Sequence, residues 1–172
     1  CHKNAKLPAS IDNPLCFSKR LSFKNFPFNI LYDLKDMDYT APNQFITIWK
    51  YLIYNSICEM MSLNEGIDSE VLCVLKSLYP DDALQQLNKQ VKKWTATDFS
   101  IEVLGTGFGI GGMHKSEESI TWKQNCDILE KIIYKYAGES KYYVLIDELD
   151  EDYRDFIDKK EKDLYVQLLT SL

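Results

Sequence analysis

The sequence predicts an α/β fold, a parallel sheet flanked by helices with a helical insertion and a small β-hairpin. Three observations carry this reading. Residues 142–146 (Tyr-Tyr-Val-Leu-Ile) form a continuous apolar run, the pattern of a strand covered on both faces within a parallel sheet. Residues 44–61 and 122–137 place apolar side chains at helical spacing. Strand-like and helix-like segments also alternate along the chain instead of segregating. The 172 residues suit a single domain with a real core.

In chain order, residues 1–25 read as irregular and polar, with Pro8, Pro14 and an Asp12-Asn13-Pro14 turn signal. Residues 28–32 follow Pro27 as a short β-rich run and are predicted to be a strand ending near Asp33. Residues 34–39 are a loop, and Thr40, Pro42 and Asn43 then signal a helix start. The helix over 44–61 repeats Phe45, Ile48, Trp49, Leu52, Ile53, Ile57 and Met60 on one side. A helix over 69–78 stops ahead of Pro80, and another is expected over 83–94, so the helical insertion spans about residues 62–98. Residues 99–104 alternate as a half-buried strand, and the glycine-rich 105–112 is read as the returning hairpin arm. The helix over 122–137 closes on Gly138 as its C′ residue. After strand 142–146 come a charged segment, 147–163, and a last helix opening at Leu164.

Composition narrows the function. A formal net charge of −6 argues against a chain that coats nucleic acid over its whole surface. No apolar run approaches the roughly 18–20 residues of a membrane helix, and the N-terminus has no secretory h-region. Five cysteines lie scattered without a CxxC, which reads as free buried thiols in a reducing compartment, the cytoplasm. His2 and His114 supply no zinc cluster and no nucleophile setting.

The chemistry-bearing string is Tyr142-Tyr143-Val144-Leu145-Ile146-Asp147-Glu148. In an open parallel sheet, strand carboxyl ends border the crevice where ligands bind. Asp147, the first carboxylate there, suits the hard-oxygen chemistry of Mg²⁺. Glu148 should point differently because a strand alternates, and it can polarise a water for attack on a γ-phosphate. The same string is also what a buried strand running into a solvated acidic turn looks like.

Residues 28–36, the long helix with Trp49-Lys50, Val103-Leu104-Gly105 and the run from Tyr142 to Tyr153 together resemble bacterial P-loop ATPases of the AAA and STAND lineages. That resemblance spans roughly residues 26–172, with the Walker B string as its specific part. It implies a P-loop NTPase-like domain in which Asp147 holds Mg²⁺, Glu148 activates water, and ATP is hydrolysed to act on nucleic acid or a protein partner, with a homo-oligomer as one form of assembly. A Walker A loop, GxxxxGK[ST], is expected before Phe28, yet residues 1–27 contain no glycine. Gly109 to Ser116 places Lys115 and Ser116 at the right offset, but His114 replaces the last glycine, where a Cβ obstructs the wrap around phosphate. The expectation is therefore that residues 1–172 are one domain, a piece of a larger ATPase core, inactive without the loop.

Other features have plainer readings beside functional ones. Asp33, Asp36 and Asp38 follow a predicted strand, where they could serve metal or sensor chemistry or simply cap a loop. Lys89, Lys92 and Lys93 with Trp94 could meet nucleic acid or complement a helix dipole. Residues 150–163 could face a partner or solvent. The alternative for the whole chain is a non-enzymatic α/β interaction domain with an incidental acidic turn.

Overall fold

Two strands running in the same direction organise the molecule. The computed structural model describes residues 15–23, 29–32, 34–41, 43–80, 122–149 and 159–172. Strand β1 (Cys16–Ser22) pairs in parallel with β2 (Lys141–Asp147), in register from Cys16 opposite Lys141 to Ser22 opposite Asp147. The ladder runs one step further at each end, with Lys141 N–H donating to the Leu15 carbonyl (2.8 Å) and Phe23 N–H to the Asp147 carbonyl (3.0 Å). The chain is thus mixed α/β with a parallel pair.

Two strand expectations are corrected here. β1 lies in the segment read as irregular, and β2's neighbour among the described residues is 16–22 instead of 28–32. Residues 29–32 are instead a single helical turn, α1 (Asn29–Tyr32). It buries Leu31 completely and sets Tyr32 edge-on to Phe45, with ring centroids 6.5 Å apart. A five-residue run with four apolar side chains fits one turn of helix as well as a strand, and packing decides between them.

β2 is also not covered on both faces. Tyr142, Val144 and Ile146 turn towards the core, whereas Tyr143 (51% exposed) and Leu145 (55%) turn to the surface. On β1 the inward residues are Phe17, Lys19 and Leu21, because a strand alternates sides at every residue. Phe17 stacks on Tyr142 at 5.3 Å.

Helix α2 (Ile46–Met61), entered through a 3₁₀ turn (Asn43–Phe45), packs against both strands. Of the stripe read from spacing, Ile48, Trp49, Leu52 and Met60 are buried on α2 and Ile53 and Ile57 only partly so, while Tyr51, Asn55, Ser56, Cys58 and Met61 are buried outside it. Trp49 meets Phe23 edge-on at 5.6 Å, and its indole N–H donates to the Leu168 carbonyl at 2.6 Å. Glu59 forms an ion pair with Lys19, so the one charge that β1 turns inward is neutralised. Asn64, just past α2, donates to Tyr142 Oη (2.7 Å) and Ser140 Oγ (3.0 Å), fastening the start of β2.

Helix α3 (Ser69–Leu78) occupies the predicted span. Its N-cap, Asp68, accepts from the Glu70 and Val71 N–H groups, two donors the first turn cannot satisfy itself. Tyr79, at its end, donates to buried Asn55 of α2 at 2.9 Å. Helix α4 (Trp122–Tyr136) lies along α2 and ends at Gly138, whose φ of 62° is the left-handed cap that glycine adopts without strain. Helix α5 (Lys159–Thr170) starts ahead of the expected Leu164 and buries Tyr165 and Leu168. The predicted helix 83–94, strand 99–104 and hairpin 105–112 lie outside the described residues. No helix among the described residues is long and apolar enough to cross a membrane.

Candidate functional site

The parallel register brings the carboxyl ends of β1 and β2 to the same edge, and the acidic pair sits there. Ser22 is opposite Asp147, and Arg20 is two residues back on the same outward side. The Arg20 guanidinium pairs with Asp147 Oδ2 and lies 3.8 Å from Glu148 Oε2. Ser22 Oγ donates to that same Glu148 oxygen. The Glu148 N–H donates to Asp147 Oδ1 at 2.9 Å, closing the bend that follows the strand.

Glu148 has a φ of 61° and is the one non-glycine residue in the left-handed region among those described. That conformation costs a side chain about 1–3 kcal/mol and survives where the surroundings fix it. Here the surroundings are Ser22 and Arg20. The bend also corrects one expectation. Simple alternation would send the two carboxylates to opposite sides, but the left-handed turn folds Glu148 back, and both reach Arg20.

All the acceptors gathered here are hard oxygens: two carboxylates and a hydroxyl. Mg²⁺ in phosphate-handling sites is held by one or two carboxylates, with water and phosphate completing the shell. Both Asp147 oxygens are engaged as the chain stands, Oδ1 by the Glu148 N–H and Oδ2 by Arg20. One guanidinium against two carboxylates leaves the cluster net negative, which favours a cation further. The cluster is open to solvent, since the Arg20 and Asp147 side chains are 48% and 49% exposed and Glu148 22%. No group of three or more His, Cys, Asp or Glu side chains able to hold a metal occurs among the described residues.

The other candidates separate from this cluster. Asp36 is 4% exposed. It accepts from Thr47 Oγ1 (2.7 Å), from the Asp38 N–H (3.2 Å) and from Lys123 Nζ of α4 (2.5 Å). Burial alone would raise its pKa, but the Lys123, Thr47 and Asp38 hydrogen bonds and the Lys123 charge hold it below the usual carboxylate value. Asp36 is a loop anchor. Asp38 reaches the same ammonium from 3.5 Å. Burial drives the Cys58 thiol upward and pushes Cys126 up to about 12, so neither is poised as a nucleophile. Cys73 is an exposed free thiol, against the expectation of uniformly buried cysteines. Asp33, Lys89, Lys92, Lys93, Trp94, Lys115, Ser116 and residues 150–158 lie outside the described residues.

Sequence reasoning missed Arg20 and Ser22. Their signal was the alternation Phe17, Lys19, Leu21 against Ser18, Arg20, Ser22, which Lys19 obscures. No protein family, curated protein or solved structure matches the chain, so the site is read from its own chemistry.

Proposed function

We propose that the Asp147–Glu148 edge is the metal-and-water half of a P-loop-type ATPase site. The observation that carries this is Glu148. The residue that sequence spacing assigns to water activation is also the non-glycine residue held in a left-handed conformation among those described, beside the residue assigned to Mg²⁺. Local strain persists at functional positions because relaxed geometry would aim the side chain elsewhere.

In this reading Asp147 would hold the cation through Oδ2, the oxygen that Arg20 pairs with in the absence of a cation, its other oxygen accepting the Glu148 N–H. Bound Mg²⁺ supplies charge neutralisation for the β- and γ-phosphates. Glu148 takes a water's hydrogen bond and orients its lone pair along the line of attack. Ser22 Oγ fixes the Glu148 carboxylate from the neighbouring strand. The phosphate-binding half is a separate requirement that Lys115 and Ser116 meet poorly, since His114 stands at the glycine position. The work driven by hydrolysis would fall on a nucleic-acid or protein partner, in a monomer or a homo-oligomer.

The test is ATP turnover by the longest natural chain containing residues 1–172, with and without Glu148→Gln. Positioned general bases contribute about 10²–10⁴-fold. We expect a loss in that range with ATP binding retained; turnover equal to wild type removes Glu148 from the chemistry.

A non-enzymatic interaction domain is favoured by a different observation, the exposed Tyr143 and Leu145 on the outward side of β2. On that reading Glu148→Gln changes nothing, whereas Tyr143→Ser with Leu145→Ser abolishes partner capture.

A further inference from the structure

Strand β2 has two edges, and β1 occupies one of them. The Lys141 N–H donates to the Leu15 carbonyl and the Asp147 carbonyl accepts from Phe23. By alternation, residues 141, 143, 145 and 147 direct their backbone groups at β1. Tyr142, Val144 and Ile146 direct theirs at the far edge, where no third strand joins among the described residues. The side chains of these three turn towards the core yet are only half-buried. Folded proteins blunt such an edge with an inward charge or a proline. β1 has an inward charge in Lys19, whereas the core side of β2 is apolar throughout and the strand has no proline.

We propose that a second copy of this chain fills the far edge, β2 against β2 in antiparallel sense about a twofold axis at Val144. The strand is complementary to itself in that register. Lys141 falls opposite Asp147 of the second copy, Tyr142 opposite Ile146, Tyr143 opposite Leu145, and Val144 opposite its own copy. Sliding by two residues sets Lys141 against Leu145, or Asp147 against Tyr143. Sliding by one sets core-facing side chains against outward ones. Tyr142, Val144 and Ile146 exchange the backbone hydrogen bonds. Lys141–Asp147 and Tyr143–Leu145 are then the non-hydrogen-bonded pairs, whose side chains approach most closely. Tyr143 and Leu145, 51% and 55% exposed, thereby cover one another. Charge agrees as well. Lys141 has no carboxylate partner among the described residues, and the cluster at Asp147 sets two carboxylates against one guanidinium. The pairing makes β2 the inner strand of a four-stranded sheet, and it holds whether or not the protein hydrolyses ATP.

The experiment is sedimentation equilibrium of the whole 172-residue chain. One strand pair is small beside the roughly 1,200–2,000 Å² of a stable complex, so a dimer dissociation constant on the order of 10 µM is expected. Lys141→Asp and Asp147→Lys each place like charges opposite at both ends of the pair and should weaken the dimer about 10-fold or more. The two variants mixed should associate as wild type does, because opposite charges face each other again. Amide hydrogen exchange on the unsubstituted chain gives a second reading. Raising the concentration through the dissociation constant should slow exchange at Tyr142, Val144 and Ile146 and leave Tyr143 and Leu145, already bonded to β1, unchanged. A chain still monomeric at about 100 µM overturns the pairing and leaves the ATPase reading untouched. A dimer that protects none of those three amides overturns it too, by placing the contact elsewhere. Variants that associate no better mixed than alone overturn the register.

Discussion

At Glu148 the backbone and the side chain make opposing demands, which makes the residue a sensitive probe. Its φ of 61° suits glycine, while its carboxylate is held by Ser22 and lies near Arg20. Glu148→Ala keeps the backbone penalty and discards the carboxylate contacts. Glu148→Gly discards the same contacts and relieves the penalty, at an entropic cost smaller than the strain removed. We expect the glycine variant to be more stable than the alanine variant by about 1 kcal/mol in urea unfolding. Equal stabilities would mean that the bend is not strained at this residue. The two carboxylates were legible in the sequence because a parallel strand ending in Asp-Glu is a local pattern. Their partners Arg20 and Ser22 were not, because they lie more than a hundred residues away on a strand whose pairing only the fold establishes.

Strand β1 shows why some elements stay hidden. Its core side runs Phe17, Lys19, Leu21, and a lysine in the middle breaks the apolar alternation by which strands are recognised. Glu59, on α2, is what makes an inward lysine tolerable, and it sits 40 residues further along. By contrast, α3 was legible to its boundaries because Asp68 caps one end and Tyr79-Pro80 closes the other. The pairing of β1 to α2 leads to an expectation with opposite signs. Glu59→Leu alone leaves the Lys19 ammonium on the core side without its carboxylate and should cost about 1–3 kcal/mol or more. Lys19→Met combined with Glu59→Leu replaces both charges with apolar bulk and should fall within about 1 kcal/mol of wild type. Chemical unfolding of the three variants decides it. A double variant as unstable as the single one would show that the ion pair itself, and not burial of a lone charge, is what matters.

Across the whole molecule, Asp36 ties three separate segments: its own loop, α2 through Thr47, and α4 through Lys123. The tie depends on protonation from both sides. Asp36 has a folded-state pKa below the ordinary 3.8, so the unfolded chain takes up its proton first as pH falls. Its stabilising effect is complete above that ordinary value and fades as pH drops through the lower, folded value. Lys123 behaves in the opposite sense. Hydrogen bonding to Asp36 raises its pKa above 10.5, partial desolvation opposes this, and the charges of Asp36 and Asp38 add to the rise. Its contribution is therefore complete below the ordinary lysine value and is lost as pH rises through the higher, folded one. The contact should be at full strength across the neutral range and weaken only at the extremes. Asp36→Asn removes the acidic arm of this dependence while keeping a side chain that can still accept from Thr47. We expect the variant to have a lower Tm than wild type at pH 7, and the gap to narrow steadily as pH is taken below about 4, where wild type loses the same charge. Thermal unfolding of the pair from neutral to strongly acidic pH measures that gap. A gap that stays constant over the whole range would mean that Asp36 anchors the loop by shape and neutral hydrogen bonding, and that its charge does not hold α4 in place.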